Sequence, residues 1–250
     1  MELIILAAGT GSRLWPLTRH VPKSLLDLGD GRCLLERQIE NAMACDKIEK
    51  VSIVTGYRAA QVEARVAQET SRVPVETTFN PFYKLTNNLV SVWFALQKLR
   101  DKDFVISNGD NLYRQTVLPA VTSVPEGIWI TIDRKDSYDE DDMKVTLHED
   151  KTVSLISKDI PSEEVHAESV GLAVVRGERF RKLFIRETER LIRDEAMLGS
   201  FWLEILNSLA RNGTLVRTVE IPRESWTEVD FHPDVNRLRQ SIVDRLGWIE

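Results

Sequence analysis

Residues 3–13 read LIILAAGTGSR, and this stretch decides the fold. Its first six residues form an unbroken apolar run without alternation, as expected for a strand buried on both faces of a parallel sheet. Gly9 and Gly11 end the run. Glycines let the backbone turn sharply and bring bare N–H groups within reach of phosphate oxygens. The stretch therefore predicts a phosphate-binding turn at the carboxyl end of a buried strand.

Strands and helices alternate from this turn to about residue 108. The predicted segments are, in order, strand 3–8, helix 34–44, strand 51–55, helix 58–68, strand 73–78, helix 88–99 and strand 104–107. Such alternation is typical of a doubly wound, Rossmann-like α/β sheet. These sheets bind ligands at the carboxyl ends of their strands, where the glycine turn lies.

The pattern of predicted elements changes after about residue 125. Short strands joined by polar turns are predicted at 127–133, 143–147, 153–157 and 169–175. We expect them to form a small antiparallel extension beside a mixed main sheet. Three helices at 179–193, 201–211 and 234–248, with a strand at 215–221, complete the predicted elements.

Composition narrows the class of protein. The chain has 250 residues, of which 42% are hydrophobic and 29% charged, and its formal net charge is −6. Non-specific nucleic-acid binding needs a surplus of Lys and Arg on one face, which a negative chain does not favour. The two cysteines, Cys33 and Cys45, favour a reducing compartment, and no apolar run approaches the ~20 residues that span a bilayer. We expect a cytoplasmic protein that binds neither nucleic acid nor membrane.

Two cations accompany the glycine turn. Arg13 can contact phosphate oxygens bidentately, and Lys23 supplies a point charge between a triphosphate and an incoming anion. The turn is not a Walker A loop, and Leu14 replaces the last glycine of a G-x-G-x-x-G motif. A tight turn with solvated charges is the alternative. The predicted nucleotide-binding residues are Leu6, Ala7, Ala8, Gly9, Thr10, Gly11, Ser12, Arg13, Asn88 and Gly109.

Two aspartates are candidate metal ligands. Asp110 lies just past the strand that ends near residue 107, and Asp230 lies at the end of another short predicted strand, in WTEVDF at 226–231. A carboxylate at a strand end faces the phosphate turn across the sheet crevice, where Mg²⁺ needs hard oxygen ligands. Glu228 is a further candidate, because strand alternation points it the same way as Asp230. For each aspartate the alternative is a turn residue or a helix cap.

The full string from residue 6 to 25 resembles the signature of the sugar-nucleotidyltransferase superfamily, which includes MobA-like proteins. It combines LAAGTGSRLWPLT at 6–18 with PKSL at 22–25. The resemblance implies a glycosyltransferase-A-like fold and an enzyme that joins a nucleoside triphosphate to a phosphorylated acceptor and releases pyrophosphate. It implies Mg²⁺, with Mn²⁺ as a substitute, held by Asp110 and Asp230. Arg13 and Lys23 then complete the catalytic set.

Later motifs resemble one subgroup, the cytidylyltransferases that act on phosphocholine, aminoalkylphosphonates or phosphorylated amides. These motifs are NNLVS at 87–91, DMKV at 142–145, ISK at 156–158, ESVG at 168–171 and WTEVD at 226–230. The resemblance implies CTP as the favoured triphosphate and leaves a homodimer open. It implies that the acceptor is bound by Lys23, Lys144, Lys158, Glu168 and Trp226. For Lys144 and Lys158 the alternative is a pair of solvated strand lysines, and for Asn88 a helix cap.

We accordingly expect a single domain over residues 1–250. It comprises a nucleotide-binding core at 1–125, an antiparallel acceptor or lid region at 126–178, and a part at 179–250 that supplies helices, a return strand and the second metal ligand. Two other functions compete with the cytidylyltransferase. One is a sugar-1-phosphate nucleotidyltransferase using UTP or dTTP, and the other is a catalytically silent, nucleotide-binding regulatory subunit.

Overall fold

Buried apolar strands form the centre of the molecule, as the opening run predicts. The computed structural model describes residues 1–69, 71–99, 101–230 and 232–243. The strands are β1 (Glu2–Ala7), β2 (Lys50–Thr55), β3 (Val75–Phe79), β4 (Phe104–Asn108), β5 (Asn111–Tyr113), β6 (Gly127–Asp133), β7 (Lys144–Leu147), β8 (Val153–Ser157), β9 (Ala167–Arg176), β10 (Val216–Glu220) and β11 (Trp226–Glu228).

Helices cover both faces of the sheet that most of these strands build. The α-helices are α1 (Leu34–Met43), α2 (Ala59–Val66), α3 (Asn88–Leu96), α4 (Val117–Val121), α5 (Glu178–Ile192), α6 (Glu204–Arg211) and α7 (His232–Val243). Short 3₁₀ helices occupy Ser12–Leu14, Lys23–Leu25, Ser162–Glu164, Glu195–Met197 and Arg223–Ser225. The helix predicted at 234–248 corresponds to α7 as far as residue 243, and residues 244–250 lie outside the described residues.

The main sheet has the strand order β10-β6-β9-β4-β1-β2-β3. Strands β4, β1, β2 and β3 are parallel, as are β10 and β6, whereas β9 runs antiparallel between β4 and β6. The predicted doubly wound mixed α/β sheet is therefore confirmed. Because β1 and β4 are parallel neighbours, their carboxyl ends meet at one edge, and the segments 8–11 and 109–110 continue from that edge.

The antiparallel extension is smaller than the sequence predicts. Strands β6 and β9, which were both expected to belong to it, are hydrogen-bonded members of the main sheet. Only the β7–β8 hairpin lies beside that sheet, and it is joined to the first residues of β9. Polar turns marked the strand ends correctly, but the partner of each strand depends on contacts distant in sequence.

Two large apolar clusters hold the layers together. One contains Ile4 and Ile106 with Phe184 and Trp202, and the other contains side chains from the opposite face of the same strands. All six residues of β1 are buried, because the two clusters cover both of its faces. Within the described residues, no helix is long and apolar enough to cross a membrane.

Gly109 lies so close to the backbone of β1 that no side chain fits at this position. The Gly109 amide donates to the Leu6 carbonyl at 3.0 Å, and a Cβ on Gly109 would lie 2.3 Å from that oxygen. A Cβ on Gly9, by contrast, would meet nothing within 4 Å. Packing therefore requires glycine at position 109, whereas position 9 has room for a larger residue.

We predict that Gly109→Ala lowers the free energy of unfolding by about 1–3 kcal/mol, the usual cost of forcing extra volume into a packed site. Gly9→Ala is the matched control and should change stability by less than about 0.5 kcal/mol. Urea unfolding followed by circular dichroism measures both. Equal stability of the two variants would contradict the packing requirement at Gly109.

Candidate functional site

One large cavity opens at the shared carboxyl edge of β1 and β4. Its volume is about 1040 Å³, at the upper end of the range for small-molecule sites. The residues of the glycine turn line one wall, and carboxylates and the loops of the extension line the others. This placement is the one expected for ligand sites of doubly wound sheets.

All ten predicted nucleotide-binding residues reach the cavity wall. They are Leu6, Ala7, Ala8, Gly9, Thr10, Gly11, Ser12, Arg13, Asn88 and Gly109. The Asn88 side chain also has a structural partner, because its Oδ1 accepts a hydrogen bond from the Trp202 amide at 2.7 Å. The cap of α3 is Asn87, whose Oδ1 accepts from the Asn88 amide.

The glycine turn is held in shape by a buried hydroxyl. Gly11 has a φ of +61°, a conformation that glycine adopts without strain, and its carbonyl accepts from the Thr18 hydroxyl at 2.6 Å. A Cβ on Gly11 would lie 3.0 Å from the Lys23 Cβ. The tight turn thus brings the backbone directly against the segment that carries Lys23.

Lys23 joins the two predicted metal ligands. Its ammonium group donates to Asp110 Oδ2 at 2.9 Å and to Asp230 Oδ1 at 2.6 Å. Arg13 donates from Nη1 to the other oxygen of Asp230 at 2.5 Å. Burial lowers the pKa of Lys23, but the two aspartates outweigh it and raise that pKa above its ordinary value. The four predicted catalytic residues therefore form one charged group.

A short ribbon brings the distant aspartates together. Strands β5 and β11 pair antiparallel, with Glu228 opposite Asn111, and the Val229 amide donates to the Asp110 carbonyl at 3.0 Å. Carboxylate oxygens of Asp110, Glu228 and Asp230 all lie within 4.8 Å of one another. We call these three residues the carboxylate trio.

The carboxylate trio suits a hard divalent cation. Burial, with the nearby charges of Asp110 and Asp230, raises the pKa of Glu228 to about 8. Asp110 Oδ1 is buried and has no hydrogen-bond partner within the described part of the chain. An all-oxygen donor set with an unsatisfied buried carboxylate oxygen fits Mg²⁺, which is commonly held by one or two carboxylates with phosphate oxygens and water.

The predicted acceptor-binding residues separate into two groups. Lys23, Lys158, Glu168 and Trp226 line the cavity. Lys144 does not: it is buried, and its ammonium group donates to the Lys158 carbonyl at 3.0 Å. The register of β7 places Lys144 opposite Glu168 but sends its ammonium group to the end of β8. Lys144 therefore stabilises the backbone at Lys158 and does not line the cavity.

Sequence reasoning missed two cavity cations. Lys135 lies 2.7 Å from both Asp142 and Glu168, and Arg223 lies over the Trp226 ring at 5.2 Å from its centroid. Lys135 follows the end of β6, so its position after a strand was a usable signal. Arg223 begins a three-residue 3₁₀ helix before β11, and no periodicity in the sequence marks it.

Comparison with known proteins identifies the class. Residues 2–132, just over half of the chain, match the Nucleotidyl transferase family, so the chain belongs to that family and is a nucleotidyltransferase. The superfamily expected from the glycine turn is confirmed.

Individual relatives extend the likeness over the whole chain. The CMP-5'-(3-aminopropyl)phosphonate synthase of Streptomyces rubellomurinus is 27% identical over 92% of this chain and 37% of its own length. The CTP:phosphoglutamine cytidylyltransferase of Campylobacter jejuni is 26% identical over 94% of this chain and 98% of its own. The structure of the inositol-1-phosphate CTP transferase from T. maritima superimposes with a TM-score of 0.78 at 22% identity, covering 96% of this chain and 95% of that one.

Glu168 gives the site a pH-dependent stability. Burial raises its pKa to about 7, although Lys135 opposes the rise. Between the ordinary carboxyl value of about 4.5 and about 7, the folded protein binds a proton that the unfolded chain has released. The free energy of unfolding therefore falls as pH rises through this window.

We predict that Glu168→Gln, which cannot ionise, gains stability relative to the native protein as pH rises from 5 to 8, by at most about 3 kcal/mol. Urea unfolding at several pH values measures the difference. Glu164→Gln, on the exposed turn before the same strand, is the control and should run parallel to the native curve. A Glu168→Gln curve that also ran parallel would remove the carboxyl as the cause.

Proposed function

We propose that the protein is a CTP-dependent nucleotidyltransferase that couples CMP to a small phosphorylated or phosphonate acceptor and releases pyrophosphate. The observation that carries this proposal is the meeting of the glycine turn, Lys23 and the carboxylate trio in one cavity. A triphosphate needs backbone N–H groups, cations and a metal site close together. These three features supply that combination.

The preference for CTP rests on the relatives. The three proteins compared above are named for CMP or CTP chemistry, and their names give a phosphonate, phosphoglutamine and inositol 1-phosphate. Their common chemistry is a small molecule that carries a phosphate or phosphonate. The acceptor half of the cavity, which contains Lys158 and Trp226, is where we place such a molecule.

The residues need only position reactants and balance charge. An acceptor phosphate or phosphonate oxygen is already a nucleophile at neutral pH, so the reaction requires no general base. Arg13 and Lys23 would hold the triphosphate in line for attack at the α-phosphorus and stabilise the leaving pyrophosphate. Lys158 would orient the attacking group.

The carboxylate trio would hold Mg²⁺, or Mn²⁺ in its place. Asp110 and Asp230 are the main ligands in this assignment, and Glu228 completes the set. When bound, the cation neutralises charge on phosphate oxygens. The ion pairs with Lys23 hold both carboxylates beside each other at the cavity wall.

The choice of triphosphate is testable directly. With Mg²⁺ and a panel of phosphorylated small acceptors, we expect pyrophosphate release with CTP at a kcat/KM at least about tenfold above UTP, dTTP, ATP or GTP, and loss of release in EDTA. Turnover with UTP or dTTP and hexose 1-phosphates alone would replace this proposal with a sugar-1-phosphate nucleotidyltransferase. Binding of CTP without turnover of any acceptor would favour a silent regulatory subunit.

Substitution of the aspartates tests the metal assignment. Asp110→Asn and Asp230→Asn should each lower kcat/KM by at least about 100-fold, the cost of removing one preorganised charge-stabilising group. Both should also weaken Mn²⁺ binding measured by electron paramagnetic resonance. Asp46→Asn, at an exposed site far from the cavity, is the control. Unchanged Mn²⁺ binding in either variant would remove that aspartate from the metal site.

A further inference from the structure

The cavity cations differ in whether a carboxylate already holds them. Arg13, Lys23, Lys135 and Lys158 each lie within 3.1 Å of a carboxylate oxygen. Arg223 is the exception among the cavity cations in the described ranges. Its only carboxylate neighbour there is Asp133, at 3.5 Å from Nε.

The Arg223 guanidinium is nevertheless fixed in place. It lies 5.2 Å from the centroid of the Trp226 ring, whose indole N–H donates to Asp133 Oδ2 at 3.0 Å. Asp133 is 1% exposed, and its Oδ2 contacts both side chains. The terminal nitrogens Nη1 and Nη2 make no hydrogen bond to a residue that the structure describes, and half of the side chain is exposed. Arg223 therefore presents a positioned pair of donors to the cavity.

The buried acids nearby are already neutralised. Lys135 lies between Asp142 and Glu168, 2.7 Å from each, so these carboxylates have a cation of their own. A positively charged acceptor group would have to displace Lys135 to reach Glu168. The terminal nitrogens of Arg223, by contrast, are not occupied by any carboxylate in the described ranges.

The spacing suits a small molecule. Trp226 and Glu228 lie two residues apart on β11, which corresponds to roughly 6–7 Å along a strand. Arg223, stacked on Trp226, therefore lines the same cavity as the carboxylate trio, from a position next to β11. Guanidinium groups bind carboxylates through two parallel N–H···O bonds.

We infer that Arg223 binds a carboxylate of the acceptor, so that the preferred acceptors are small phosphorylated or phosphonate carboxylic acids. The inference rests on the proposed function, because it assumes that the acceptor phosphate lies near the carboxylate trio. It makes Arg223 a specificity-determining residue and gives Trp226 the role of orienting it.

Three commercially available acceptors isolate the carboxylate. Phosphoserine differs from phosphoethanolamine by one carboxylate, and 3-phosphoglycerate replaces the amine of phosphoserine with a hydroxyl. With CTP and Mg²⁺ we expect both carboxylates to exceed phosphoethanolamine in kcat/KM by roughly 10- to 100-fold, the value of a hydrogen bond to a charged group. Arg223→Gln should abolish this preference by raising the KM of both carboxylates to that of phosphoethanolamine.

Two further variants separate recognition from folding. Arg217 stacks on Trp129 at 5.6 Å and lies outside the cavity, so Arg217→Gln is a matched control that should retain the preference. Arg223→Lys keeps a charge beside Asp133 but loses the planar pair of donors, and it should recover only part of the preference. A preference that survives in Arg223→Gln, or one that is absent from the native protein, overturns the inference.

Equilibrium binding keeps this test independent of turnover. Calorimetry with the same three acceptors and no nucleotide should show tighter binding of the two carboxylates to the native protein and not to Arg223→Gln. If that difference appears without pyrophosphate release, the proposed reaction fails while the carboxylate site stands. If all three acceptors bind equally, or none binds, the carboxylate site fails and the reaction is judged on its own assay.

Discussion

The ion pairs of Lys23 with Asp110 and Asp230 are the constraint on which the site depends. They join three segments separated by 87 and 120 residues in the sequence, and one ammonium group lies 2.9 and 2.6 Å from the two carboxylates. Because all three groups are largely removed from water, the loss of one would leave an uncompensated charge. The glycine turn packs directly on Lys23, so the backbone of the turn, the cation and the carboxylates are positioned as one unit.

The parts of this unit differ in how far the sequence predicts them. The glycine turn is contiguous, and its buried strand is marked by an unbroken apolar run, so both were predicted with their position in the sheet. Asp110 was predicted because it directly follows a strand. A short strand ending near Asp230 was also predicted, but its pairing with β5 was not, since the two three-residue strands lie more than 110 residues apart. The nearness of Asp230 to Asp110 came from resemblance, and only the structure supplies its physical cause.

The predicted acceptor-binding lysines show why the sequence alone does not place every side chain. Lys144 and Lys158 were both predicted from motifs of the same subgroup, yet Lys158 lines the cavity while Lys144 donates a hydrogen bond to the Lys158 carbonyl. The side to which a strand lysine points depends on register, and a long side chain can still reach either way at a strand end. Lys135 could have been recognised from its position after a strand, whereas the position of Arg223 depends on the buried Asp133 and follows only from the structure.

Strand β9 is shared by the main sheet and the β7–β8 hairpin: its first residues pair with β7, and its remainder lies between β4 and β6. A rigid swing of the hairpin away from the sheet would therefore have to break backbone hydrogen bonds in a buried ladder. Strand β9 thus connects the two sides of the cavity rigidly, and the loops between strands are the parts that can change independently. Residues in the loops at 134–143 and 222–225, which line the cavity without belonging to that ladder, can therefore be exchanged without disturbing the glycine turn.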